Sequence, residues 1–268
     1  MKVIVSHDID HHRVSDHFFK DLYLQKYLIK NLVFLLKGKL SFKTWKRRMS
    51  LFKRNSMGYI DELIAFNEKH GVESTFFTGF DNALNLSYDK EVAKDFTKKL
   101  SARNHHIYPH GIAFNEKSRM KKELDLWKSA LENPKQLSGI RMHYLRSADC
   151  TDGICSELGY DFVSNRYSLG DPYQSSGLIH FPVALMDVYA MTYAEEDPSK
   201  AIEESITVID KAQANGQKYF TIIFHDHHYC DVFKQHKEWY EEVIKYIESK
   251  FEFTTFVKAL KEIKSEKK

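Results

Sequence analysis

The stretch "VSHDIDHH", residues 5–12, sets two aspartates and three histidines directly behind the short apolar run Val3–Val5. Asp8 and Asp10 share parity, so in extended backbone their side chains leave the same face, roughly 6–7 Å apart. Two carboxylates that close raise the pKa of at least one of them unless a cation lies between. The stretch therefore predicts a first strand that ends in a metal site or an acid/base pair. A strand whose carboxyl end carries chemistry is the opening expected of a parallel α/β sheet or barrel.

The rest of the chain repeats that plan. Strand-like runs recur at "ESTFFTGF" (73–80), "HHIYPHG" (105–111), "GIRMHYL" (139–145), "GYDFVS" (159–164), "GLIHFPVALMD" (177–187), "KYFTIIFHDHHY" (218–229) and "FEFTTF" (251–256). Helical patterns lie between them, over 58–70, 88–103, 117–132, 151–158, 198–215 and 235–250, with a last basic helix at the end. Gly71 is placed to end the first of these. No repeat, low-complexity stretch or Pro/Gly-rich linker interrupts the order, which predicts one α/β domain over 1–268.

Fourteen histidines are many for 268 residues, and they cluster at 7, 11, 12 and 17, at 105, 106 and 110, and at 225, 227 and 228. A solvated surface gives no reason for such clustering, whereas metal and proton-transfer chemistry does. The chemical groups also follow strand-like runs: Asp8, Asp10 and His11 after the first, then His110, then Arg141 with His143, then His225 with His227. In a parallel barrel these ends converge on one mouth. Asp226 reads either as a tuner of a neighbouring histidine or as an exposed salt-bridge partner. Tyr167, Tyr173, Trp239 and Tyr240 are aromatics that could stack on a ligand ring.

The net charge of +3 hides an asymmetry. Residues 20–56 carry eleven Lys/Arg against the single acid Asp21, a segment charge of +10 that leaves −7 on the remainder. Its longest apolar piece, Leu32–Leu36, is too short to span a bilayer. Basic heads beside Leu, Phe and Trp fit a helix lying on an anionic membrane surface, or a solvated basic helix covering one end of the domain. Nucleic acid is not expected, because the basic block is one stretch on an acidic body with its aromatics at helical spacing. Three cysteines argue against a disulfide framework, and the opening residues read as a strand rather than a signal peptide, so a reducing cytoplasm is expected.

These residues resemble the polysaccharide deacetylases of the NodB-homology superfamily (carbohydrate esterase family 4-like), metal-dependent enzymes on a distorted (β/α)7 barrel. "HDID" is similar to the spaced Asp-x-Asp variant of their first motif, which implies Asp8 as base and Asp10 as metal ligand. "STFFTGF" resembles their A-T-F-F strand, and "NHHIYPHG" their G-H-E-I-G-x-H run, implying His110 as a metal ligand. "GIRMHYL" resembles R-x-P-Y, with Arg141 holding the catalytic aspartate and the Tyr144 N–H facing an oxyanion. "FPVALMD" is similar to the hydrophobic pocket strand, and "IIFHD" to the closing L-H motif with His225 as general acid. The resemblance runs in order from about residue 3 to 230 and skips 20–56.

One departure concerns the metal. The family places a second histidine four residues after the first, and here that position is Phe114, followed by Asn115. His106 could substitute only if the backbone folded back at Pro109, since four residues of strand span about 13 Å. His11, just past the first strand, is the first choice for a third ligand, with His143 and Asn115 as alternatives. An Asp/His/His set suits a divalent cation, zinc first.

The resemblance implies a metal-dependent hydrolase removing an N-acyl (acetyl) group from an amino sugar during surface polysaccharide or lipopolysaccharide biosynthesis. A lipid- or nucleotide-linked substrate and peripheral contact with the inner face of the membrane would suit the basic segment. The alternatives are an amidohydrolase acting on a small cyclic amide, and a non-catalytic carbohydrate-binding relative that has lost the metal.

Overall fold

In this computed structural model, residues 1–18, 20–103, 105–131, 138–192 and 197–266 are described. Asn104, at the head of "NHHIYPHG", and residue 132, at the end of the helix expected over 117–132, lie outside the described residues. The first strand, β1, is Lys2–Ile9, buried from Val3 onward on both faces, as a central parallel strand flanked by helices must be. On one side it pairs in parallel with β2 (Thr75–Thr78). Beyond β2 come β3 (His106–Gly111), β4 (Gly139–Met142) and β5 (Phe162–Val163), each parallel to the last.

Closure comes from one stretch, 178–186. A strand at Tyr173–Ser175 (β6) turns back antiparallel onto Leu178–His180 (β7), and β7 runs parallel to β5. Val183 then bridges Tyr167, and Leu185–Met186 (β8) pairs with β9 (Tyr219–Ile223), which returns to β1. The stretch thus joins β5 at its start and β9 at its end. Counting it once, seven strands curl round a common interior, the distorted (β/α)7 barrel that the resemblance implied. A short β10 (Glu252–Thr254) lies beside the start of β1.

The helices follow the expected order within two residues where the sequence set limits: α1 (Tyr23–Leu36), α2 (Phe42–Met49), α3 (Ile60–Lys69), α4 (Lys90–Ser101), α5 (Lys117–Ala130), α6 (Thr151–Glu157), α7 (Asp187–Ala190), α8 (Ser199–Ala214), α9 (Lys234–Lys250) and α10 (Phe256–Ser265). Gly71 follows α3 with φ +68, the left-handed position that ends a helix cheaply only in glycine. Asp89 caps α4 by accepting the Glu91 N–H.

Two apolar layers hold this frame. Outside β1 and β9, Phe220, Phe224, Trp239, Tyr240 and Ile244 pack the sheet against α9. Trp239 and Tyr240, read from sequence as possible ring-stacking residues, are therefore core, with no exposure. Phe256 stacks on Phe162 at 4.9 Å and meets Phe77 and Phe181 edge-on, forming an aromatic floor. The basic segment is a helical pair, α1 and α2. Leu24, Tyr27 and Leu51 tie it to Val232 and Phe233, just beyond β9, and so place it beside the mouth of the barrel.

Candidate metal centre and catalytic cavity

Strand alternation sorts the opening stretch. Ser6, Asp8 and Asp10 face one way and His7 the other. His7 donates from Nδ1 to the Phe224 carbonyl (3.0 Å) and accepts from Asn67, so it is a core histidine held neutral, burial lowering its pKa to about 4. On the inner face, Arg141 is fully buried, with its guanidinium 4.1 Å above the Phe77 ring. It donates from Nη1 to Asp8 Oδ1 (2.7 Å) and from Nη2 to the hydroxyls of Ser6 and Ser164. Burial alone would push the Asp8 carboxyl up, but Arg141, His110 and His225 together outweigh it and Asp8 is held as a carboxylate.

Beside this pair, three donor atoms converge. His110, next to last in β3, gives its Nδ1 proton to the Arg141 carbonyl (3.1 Å). His143, one residue beyond β4, gives its Nε2 proton to the Leu84 carbonyl (3.0 Å). A carbonyl only accepts, so the opposite nitrogens carry lone pairs, and these, His110 Nε2 and His143 Nδ1, lie 3.0 Å apart. Asp10 Oδ1 is 3.3 Å from the first and 3.4 Å from the second, buried and without a hydrogen-bond donor. Two lone pairs and an orphaned carboxylate oxygen repel unless positive charge sits among them. The raised pKa of His143 is the same pull acting on a proton: burial opposes it and Asp10 overcomes it. The set fits a divalent cation, with both histidines oriented by carbonyls as metal-ligating histidines are.

His225 stands across from Asp10, its Nε2 3.5 Å from Oδ2. Behind it lies Asp187, whose Oδ1 accepts from His225 Nδ1 (2.7 Å) and whose Oδ2 accepts from His228 Nδ1 (2.6 Å) and from the His225 backbone N–H. Burial disfavours charge on His225, but Asp187, then Asp10 and Asp8, raise its pKa to about 10. Asp187, His225 and His228 are also close enough to share an ion. Both Asp187 oxygens are already taken by N–H groups, however, whereas Asp10 has one oxygen to spare, and that favours the first triad.

The other sequence candidates fall as follows. His11 lines the cavity, but its Nδ1 meets His17 Nε2 (3.0 Å), and His17 in turn donates to Asp21 (2.8 Å). It is tied toward the basic segment, outside the converging triad. Asn115 is exposed and does not line the cavity, and Phe114 lies under the Arg146 guanidinium at 4.3 Å. Tyr144 sits at the rim with φ +58, its ring 4.2 Å from His143. Leu84, Asn85 and Leu145 share its left-handed conformation, so backbone strain gathers around His143. Asp226 is not an exposed salt-bridge partner: it is fully buried, and burial and Asp10 raise its pKa well above the carboxylate range. Asp187 was not singled out from sequence, and His228 was named only as a member of its histidine cluster. The available signal was Asp187's place as an acid closing a strand-like run, as Asp8 and Asp10 do.

Asp8, Asp10, His110, His143 and His225 line a cavity of about 340 Å³, with Tyr23, Leu145, Met186, Val188 and Tyr189 around this polar centre. Tyr189 packs against Tyr167 at 4.7 Å, which brings that exposed aromatic to the same rim.

The barrel is the fold class that the comparison with solved structures shows. No sequence family matches the chain, and no curated protein matches it. Among solved structures it is similar to a Mycobacterium smegmatis protein described as a polysaccharide deacetylase, with TM-score 0.65 and 14% identity over 99% of this chain and 91% of that one. PuuE allantoinase is similar at TM-score 0.63 and 14% identity, over 97% and 88%. A Pseudomonas aeruginosa PAO1 protein described as a polysaccharide deacetylase follows at 0.62 and 14%, over 97% and 89%. Likeness at this identity shows the fold, and activity has to be argued from the site.

Proposed function

We propose that this protein is a metal-dependent hydrolase that removes an N-acyl group, acetyl first, from an amino sugar destined for a surface polysaccharide or lipopolysaccharide. The observation that carries the reading is Asp10, His110 and His143 converging between the Asp8–Arg141 pair and the Asp187-backed His225. Asp10, His110 and His143 would hold the cation, zinc first, which supplies Lewis acidity toward the amide carbonyl. Asp8, kept ionised and oriented by Arg141, takes the proton of the attacking water. The Tyr144 N–H is the candidate oxyanion donor. His225, kept protonated by Asp187, delivers a proton to the departing amine. Tyr144, Tyr167 and Tyr189 at the rim offer flat faces to a sugar ring.

The structural likeness to an allantoinase favours a second reading, ring opening of a small cyclic amide. The non-catalytic reading is weakened by the intact donor set. Acetate release from N-acetylated sugars, set beside allantoin consumption, separates the two enzyme readings. Asp8→Asn is expected to lower kcat by about 10²–10⁴-fold with the metal retained. Unchanged kcat would remove Asp8 from the mechanism.

Among the described residues, no helix is long and apolar enough to cross a membrane. The outer face of α1 nevertheless exposes Leu28, Ile29, Leu32, Val33 and Leu36. We place this face on an anionic membrane surface, which would present a lipid-linked substrate to the neighbouring cavity.

A further inference from the structure

A second cavity, of about 240 Å³, adjoins the catalytic one and shares Tyr23 and His228 with it. It has room for about eight water volumes. The inner face of α1 supplies Tyr23, Lys26, Tyr27, Lys30 and Asn31, whose spacing puts all five on one side of a helix. Arg48 of α2 enters from the other side and His236 of α9 closes the end. None of the described residues lining it is acidic.

Its polar wall is built in advance. Arg48 is only 3% exposed, and its Nη1 donates to Asn31 Oδ1 (3.1 Å). Asn31 donates to the Tyr27 carbonyl (2.8 Å), and the Tyr27 hydroxyl donates to the Arg48 carbonyl (3.0 Å). This clasp between α1 and α2 holds a buried guanidinium at the cavity, while exposed Lys26 and Lys30 stand at its mouth. His236 is buried with its Nδ1 lacking a hydrogen-bond partner among the described residues. A planar guanidinium beside two ammonium groups, with no acid among the described residues of the wall, matches the oxygens of a phosphoryl group.

We infer that this cavity is a phosphoryl subsite, and that the substrate is a phosphate-bearing N-acyl sugar whose phosphoryl group sits here while its amide enters the catalytic cavity. The sugar's identity rests on the deacetylase reading; the anion site does not. The inner face of the +10 segment thereby grips the phosphate, a specific use for its charge.

Titration calorimetry with N-acetylglucosamine 1-phosphate tests this, using unphosphorylated N-acetylglucosamine as reference. The phosphorylated sugar is expected to bind more tightly, and K26A/K30A to weaken it roughly tenfold or more while leaving the unphosphorylated sugar unaffected. Both lysines are exposed, so the double variant is expected to fold, which an unchanged unfolding midpoint verifies. Asp10→Asn disables the metal centre and is expected to leave phosphate binding intact. Competition by farnesyl phosphate or by a uridine nucleotide assigns the phosphate to a lipid or a nucleotide carrier. Equal binding by wild type and K26A/K30A, loss of binding in Asp10→Asn, or competition by neither carrier overturns the subsite. Failure to release acetate from any sugar would end the hydrolase reading and leave the binding result standing.

Discussion

Asp10 keeps a buried carboxylate oxygen with no hydrogen-bond donor, facing two imidazole nitrogens whose protons point elsewhere. That arrangement distinguishes His143 from His11. His143→Ala is expected to lower bound metal from about one per chain to near zero, whereas His11→Ala retains it, as read by elemental analysis of protein purified without chelator. The opposite pattern would restore His11 as ligand. The sequence could bring Asp8, Asp10, His110, Arg141 and His225 to one mouth, because strand alternation and strand ends fix where such side chains go. It could not choose the third donor. His143 lies one residue beyond β4, just ahead of a turn at Tyr144 with φ +58, and no residue pattern announces a left-handed tyrosine.

At the scale of elements, Glu123 of α5 anchors the backbone that leaves β3, accepting the N–H groups of Ile112 and Ala113 at 3.0 Å each. Burial outweighs those bonds and raises its pKa to about 7, above the ordinary glutamate value. The fold therefore binds this proton more tightly than the unfolded chain does. Its contribution is full below about pH 4.5 and is lost as pH rises through about 7, a change of a few kcal/mol. Urea midpoints are expected to fall from pH 5 to pH 8 more steeply in wild type than in Glu123→Gln, and parallel profiles would refute this. For α1, anionic vesicles are expected to retain the wild-type protein at low salt and release it at high salt. Replacing Ile29 and Leu32 by Ser should weaken retention about a hundredfold or more, since each aliphatic side chain contributes about 1.5–3 kcal/mol when fully buried. Unchanged retention would leave α1 as a solvated basic helix.

For the molecule as a whole, alternation of β and α runs made the barrel legible, because parallel strands need helical crossovers. The closure was less so. "GLIHFPVALMD" reads as one strand, yet its two ends pair with different neighbours, and only the curled sheet shows why the acid at its end, Asp187, arrives behind His225. The basic segment was readable in charge but not in shape: its inner face lines a cavity and its outer face is apolar. The central claim, a single cation at the barrel mouth, is tested most directly by anomalous diffraction at the zinc edge from crystals grown without chelator. One peak is expected, about 2.0–2.2 Å from Asp10, His110 Nε2 and His143 Nδ1. A peak among Asp187, His225 and His228 instead, or none at either place, would contradict it.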